Sequence, residues 1–150
     1  MSTLVRNKEA GFNFKIIEEI EAGLILTGQE VKSLKSGHGS LKGSFVSVKN
    51  NEAWIKKMYI PPYKKASISS LKNYNPDKDR KLLLNKKQIW NLANKTNEKG
   101  LTIIPISVYT TRRLIKLKIA LVSGKKKFDK RETMKKRDVK RDIARKLKSY

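Results

Sequence analysis

The amino-acid sequence predicts a mainly β protein: a barrel-like body of short strands with two short helices inserted, followed by a basic C-terminal tail. Three observations predict it. Up to Ile119 the chain consists of short apolar, β-branched runs separated by turn residues, two helix-capping signals lie between those runs, and lysine-rich sequence takes over abruptly after Gly124. The 150 residues are enough for one core, because a domain of this size buries about 68–70% of the surface its unfolded chain exposes.

Residues 14–20 and 24–26 are apolar and rich in β-branched side chains, which predicts two strands with a bulge or turn at Glu21-Ala22-Gly23. Thr27-Gly28-Gln29-Glu30 fits a capping box, so a helix begins there with Val31 and Leu34 on its buried side and Gly37 and Gly39 at its exit. Residues 45–48 and 53–60 flank Asn50-Asn51, and asparagine tolerates the left-handed backbone of a tight hairpin. Pro61-Pro62 ends the second of these strands, and a long surface loop is expected up to Asp79. Asn85 and Gln88 form a second capping signal, and Leu84, Ile89, Leu92 and Ala93 repeat at near-helical spacing until Glu98-Lys99-Gly100. Residues 101–109 and 113–122 then read as two strands joined at Thr110-Thr111-Arg112, with Pro105 at an edge or bulge. In the last strand Ile115, Leu117, Ile119 and Leu121 point one way and Lys116 and Lys118 the other, so part of the sheet offers a basic face.

The sequence divides into a body, residues 1–124, and a tail, residues 125–150. In the tail Glu132 with Lys136, Asp138 with Arg141, and Asp142 with Lys146 can pair at helical spacing, each contributing only about 0.2–0.5 kcal/mol. The apolar stripe Val139, Ile143, Leu147 is too narrow to dock on a core, while ordering each residue costs about 1–2 kcal/mol of backbone entropy. A tail disordered when free and helical when bound is the expectation.

Charge is distributed unevenly. The 36 Lys and Arg against 13 Asp and Glu give a formal charge of +23, to which residues 1–30 contribute −2, residues 31–120 +16 and residues 121–150 +9. Clustered cations at this density call for an anionic partner, most often nucleic acid. Zero cysteine and the single His38 exclude disulfide scaffolds, thiol nucleophiles and cysteine or histidine metal sets, so no cofactor or metal is expected. The longest apolar run, Ile119-Ala120-Leu121-Val122, has four residues where a membrane span needs about 20, so a cytoplasmic protein without membrane association is expected.

Lysine and arginine neutralise phosphates and aromatic rings stack exposed bases, which makes an RNA-binding barrel the simplest function. Trp54, Tyr59 and Tyr109 lie in predicted strands and read as core or rim residues, and Trp90 reads equally as packing or exposed. Tyr63 and Tyr74 are further stacking candidates. Phe128, alone in a run of cations, has nothing beside it to pack on. Catalysis has little support: Asp77 with Asp79, and Asp129 with Glu132, sit among lysines without a positioned second group, and Gly37-His38-Gly39 lacks the spacing of a nucleotide loop. The chain is not read as an enzyme.

Three stretches go further than composition: Glu21-Ala22-Gly23-Leu24-Ile25-Leu26-Thr27-Gly28-Gln29-Glu30-Val31-Lys32-Ser33-Leu34-Lys35-Ser36-Gly37, then Arg80-Lys81-Leu82-Leu83-Leu84-Asn85, then Gly124-Lys125-Lys126-Lys127-Phe128-Asp129-Lys130-Arg131. In this order and at this separation they resemble SmpB, the SsrA-binding (tmRNA-binding) small protein B family, over about residues 7–131. The resemblance implies a closed antiparallel barrel related to the OB fold that binds the tRNA-like part of tmRNA. It implies rescue of stalled ribosomes by trans-translation: escort of alanyl-tmRNA, with its elongation factor, and a body that stands where a tRNA anticodon arm would. The tail would enter the vacant mRNA channel near the decoding centre of the small subunit and fold there.

The resemblance assigns Glu30 to the RNA-binding surface, beside its equally good role as a helix cap. It also assigns Asn7 and Lys8, in a segment that otherwise reads as a mobile end. With the basic positions of the motifs and the last strand, the expected RNA-binding set is Asn7, Lys8, Glu30, Lys32, Lys35, Arg80, Lys81, Lys116 and Lys118. Gly124, Lys125, Lys126, Phe128, Asp129, Lys130 and Arg131 are the expected ribosome-binding residues, against a generic basic linker as the alternative. Phe128 stands where the family often has histidine or tyrosine, which keeps a stacking face and removes a titrating one. Ala120 and Ser123 replace a common glycine and lysine. A structural ribosomal protein or a generic OB-type RNA binder is the competing function, and an RNA-processing enzyme using Asp77, Asp79 or Asp129 is the third class.

Overall fold

The computed structural model describes residues 2–97 and 100–124. In chain order the elements are β1 (Ser2–Arg6), α1 (Ala10–Asn13), β2 (Phe14–Leu24), α2 (Gly28–Lys35), β3 (Phe45–Lys49), β4 (Glu52–Lys56), α3 (Ile68–Leu71), β5 (Arg80–Leu83), α4 (Lys86–Thr96), β6 (Leu101–Thr111) and β7 (Leu114–Gly124). The protein is mainly β, as expected. All strand pairs are antiparallel, and they run β6, β3, β4, β5, β2, β7 and back to β6, so the pairing forms a ring. β1 and β3 share β6 as a partner, β1 pairing with residues 107–110 and β3 at Ile103.

The interior is apolar. Leu34, Ile55, Met58, Leu82, Ile103, Val108, Leu117, Ile119 and Leu121 are buried in one cluster, and each large side chain of this kind contributes about 1.5–3 kcal/mol when fully buried. The opposite face of the β6–β7 pair carries a second, smaller cluster of Ala10, Ile104, Ala120 and Val122, with Phe14 and Ile106 packed against it. Thus α1 covers the end of β7, and Lys116 and Lys118 form the basic part of the outer face, as the alternation predicted.

Both capping boxes form as their residues dictate. The Thr27 hydroxyl accepts from the Glu30 N–H at 3.4 Å, and Glu30 Oε1 accepts from the Thr27 N–H at 2.9 Å. Asn85 and Gln88 repeat the exchange at 2.7 and 3.0 Å at the start of α4. Asn50 and Asn51, at φ 53° and 60°, turn β3 into β4 with Lys49 opposite Glu52.

Several expectations are corrected. Residues 14–24 are one strand, not two: its irregularity lies between Ile16 and Glu18, and Gly23 is a point of close approach. A Cβ there would stand 3.0 Å from Leu83 Cβ, so the glycine lets β5 lie against β2. The segment before Asn7 is a strand, since β6 offers it an open edge. Residues 80–83 form β5, too short to stand out between a loop and a helix cap, and the long loop before it contains the single turn α3. The strand expected to reach Ile60 ends at Lys56, where Lys57 takes a φ of 61°. The last hairpin turns at Arg112-Arg113, φ 47° and 69°, with Thr111 opposite Leu114, one residue later than expected. Pro105 does sit at an irregularity, between Pro105 and Ser107.

Candidate nucleic-acid interface

Glu30 and Arg80 are brought together by α2 and β5, but not on the surface. Glu30 is 1% and Arg80 2% exposed, and the Arg80 Nε–H donates to Glu30 Oε2. The remaining Arg80 donors reach the Met58 carbonyl at 2.6 Å, the Lys78 carbonyl at 3.2 Å, the Pro76 carbonyl at 3.0 Å and the Tyr74 hydroxyl at 3.4 Å. Lys78 Nζ adds an ion pair to Glu30 Oε1 at 3.5 Å. Burial pushes the Glu30 carboxyl up, but the Thr27 N–H and Arg80 outweigh it and hold the pKa below the ordinary value. Glu30 and Arg80, both named in the expected RNA-binding set, thus direct their polar atoms into the protein. They fix the 61–79 loop to α2. Asn7 is similarly occupied, donating from Nδ2 to the Pro105 carbonyl at 2.9 Å and accepting the Glu9 N–H at 3.3 Å. This ties the end of β1 to β6.

The exposed cations remain available. Lys8, Lys32 and Lys35 are exposed, and Lys81, on β5, and Lys116 and Lys118, on β7, are half-buried on the outer side with β2 between the two strands. Strand register places Lys116 opposite Gly23, Gly23 opposite Leu83, and Lys81 opposite Trp54. Lys118 pairs with Glu19 at 3.7 Å and Lys81 with Glu52 at 3.5 Å, both at half-exposed side chains where such pairs contribute little. Glu52 also accepts from the Trp54 indole N–H at 3.1 Å.

Sequence reasoning missed the apolar members of this strip. Leu83 is 56% exposed and Ile25 49% exposed beside these lysines. The alternation was available: Arg80 and Leu82 point in, so Lys81 and Leu83 point out. Tyr109, buried on the outer side of β6, donates its hydroxyl to Glu21 across β7. Burial first, and then the Glu21 carboxylate, push its pKa well above the ordinary value. Among the aromatic residues considered, Trp90 is 66% exposed on α4, whereas Tyr59 is 42% exposed and Trp54 half-buried. The expected tail residues Lys125, Lys126, Phe128, Asp129, Lys130 and Arg131 lie outside the described residues; Gly124 closes β7 opposite Phe14.

Chemically, the strip joins phosphate-neutralising cations to apolar side chains on which a sugar or base can rest. Among the described residues no three His, Asp or Glu side chains stand together as a metal set, and no helix is long and apolar enough to cross a membrane.

Comparison with known proteins follows this geometry. The family model described as SmpB protein matches residues 4–149. The SsrA-binding protein of Persephonella marina is 47% identical over 148 residues, covering 99% of this chain and 95% of the relative. That of a Sulfurihydrogenibium species is 48% identical over 142 residues, covering 95% and 91%. Among solved structures, a chain from "tmRNA-SmpB: a journey to the center of the bacterial ribosome" superposes with a TM-score of 0.67 at 36% identity, covering 86% of this chain and 92% of that one. With three ordered motifs, a ring of antiparallel strands and a family match along nearly its whole length, the chain belongs to the SmpB family.

Proposed function

We propose that this chain is a tmRNA-binding protein of trans-translation, working in the bacterial cytoplasm with tmRNA and the ribosome. The observation that carries this is the family match over residues 4–149, shared with SsrA-binding relatives and with a chain solved in a tmRNA–ribosome setting. The ring of strand pairs supports a closed, OB-like barrel as the body. On it, Lys81, Lys116 and Lys118, with Leu83 and Ile25 between them, form the RNA-facing strip, and Lys8, Lys32 and Lys35 add further cations for the phosphates. Glu30, Arg80 and Asn7 are positioning residues.

The protein makes no covalent bond in this scheme. It escorts alanyl-tmRNA, and through it the elongation factor, to a stalled ribosome and stands in for part of a tRNA in the decoding region. The tail, with Gly124, Lys125, Lys126, Phe128, Asp129, Lys130 and Arg131 at its entry, threads the vacant mRNA channel and folds against small-subunit RNA. The sequence supports this through its density of cations and its narrow apolar stripe.

Filter binding tests the body. Wild-type chain should bind tmRNA more tightly than a length-matched RNA, and Lys116→Glu with Lys118→Glu should weaken it at least about tenfold, because two phosphates are no longer neutralised. Equal affinity for both RNAs, together with permanent sedimentation with translating ribosomes, would point instead to a structural ribosomal protein or a generic RNA binder.

A further inference from the structure

The start of α2 and the 61–79 loop enclose a cleft of about 630 Å³, within the range of about 300–1,000 Å³ typical of ligand sites. Lys32, Lys65, Lys72 and Lys78 line it together with Tyr63 and Tyr74, and no acidic side chain does. Among the described residues only Lys78 of these four has a carboxylate in ion-pair range, the buried Glu30. Like charges gathered in a concavity with low-dielectric walls focus a positive potential, which an anion relieves.

The walls are set before any ligand arrives. The Tyr63 N–H donates to Gln29 Oε1 at 3.3 Å, the Ser33 hydroxyl to the Pro61 carbonyl at 2.7 Å, and the Tyr74 hydroxyl to the Ile60 carbonyl at 2.8 Å. Behind them the Glu30–Arg80 pair clamps the base of the loop. Lys32 Nζ stands 5.8 Å from the Tyr63 ring centre and Lys78 Nζ 5.9 Å from that of Tyr74, so cation and aromatic surface are presented together. Lysine ammonium groups suit tetrahedral phosphate as point charges, and a tyrosine ring suits a base. An acidic peptide would use the cations and leave the rings idle.

We propose that this cleft seats one unstacked nucleotide of the bound RNA, with its phosphates at Lys32, Lys65 and Lys72 and its base against Tyr63. The inference rests on the RNA-binding function above and assigns it a further subsite, which shares no residue with the Lys81, Lys116 and Lys118 strip. The same chemistry is carried by tmRNA and by ribosomal RNA.

Amide NMR of the full chain titrated with uridine or adenosine 5′-monophosphate tests it. Saturable shifts should concentrate in residues 27–32 and 63–78, and Lys65→Glu with Lys72→Glu, both at exposed positions, should weaken binding at least about tenfold with unchanged circular dichroism. Tyr63→Phe should retain binding and Tyr63→Ala should weaken it. Shifts confined to the Lys116 and Lys118 strip, no saturable shifts, or an unaffected double variant would overturn the proposal. The source is read from the same double variant: weakened tmRNA binding assigns the nucleotide to tmRNA, weakened ribosome binding alone assigns it to ribosomal RNA, and loss of neither overturns the site. If wild-type chain fails to prefer tmRNA, the function above falls, while the mononucleotide shifts still decide the cleft.

Discussion

Arg80 and Glu30 form a buried ion pair 50 positions apart in the chain, and removing either partner strands a buried charge. Glu30→Gln should destabilise the protein by about 3–5 kcal/mol at neutral pH, read from urea unfolding. The pH dependence has a definite sign. The unfolded carboxyl titrates near 4.5 and the folded one lower, so the stabilisation is complete above about pH 4.5 and is lost as pH falls through the folded value. The Gln variant should show a flatter stability curve in that acid range, and parallel curves for the two proteins would refute this role. The cap at Glu30 was legible from Thr27 three residues earlier. Its burial was not, because the partner, Arg80, lies 50 residues away in the chain and reads beside Lys81 as one more surface cation. Arg112 and Arg113 pose the opposite case, two exposed L-residues held at positive φ where each costs about 1–2 kcal/mol. Replacing them by Asn-Gly, the preferred pair for such a turn, should raise the melting temperature by a few degrees in calorimetry, and an unchanged melting point would show the turn to be unstrained.

Elements with a local chemical signal were legible in the sequence. Both capping boxes and the Asn50-Asn51 turn depend on residues at most three positions apart, and each appears as its side chains require. The cap of α4 gives a direct check: Asn85→Ala removes the acceptor of the Gln88 N–H and should cost about 0.5–2 kcal/mol in denaturant unfolding. Elements defined by distant partners were not legible. β1 exists because β6 presents an edge about a hundred residues later in the chain, and β5 has only four residues to announce it. Gly23 misled for a related reason. A glycine inside an apolar run reads as a break, yet here it lets two strands approach, a fact that resides in Leu83.

For the molecule as a whole, the sequence changes character after Gly124, where strand alternation gives way to a lysine run. The pairing of β2 with β7 and of β3 with β6, which completes the ring, lies in neither composition nor period and required the register itself. Dividing the chain after Gly124 should divide its tasks. A body of residues 1–124 should keep tmRNA affinity with a shallower salt dependence, by about 0.7–0.9 in logarithmic slope for each phosphate that the tail would have neutralised, and should fail to rescue stalled ribosomes in a peptide-tagging assay. Normal tagging by the shortened chain would remove the tail from the mechanism. The attachment point of that tail has a mechanical consequence. β7 is hydrogen-bonded to β2 on one side and β6 on the other up to its final residues. Tension applied to Gly124 along the strand loads both ladders in shear, so many bonds must yield together and none can be peeled away singly. A pull on the chain beyond Gly124 would therefore be borne by a strand held along both of its edges.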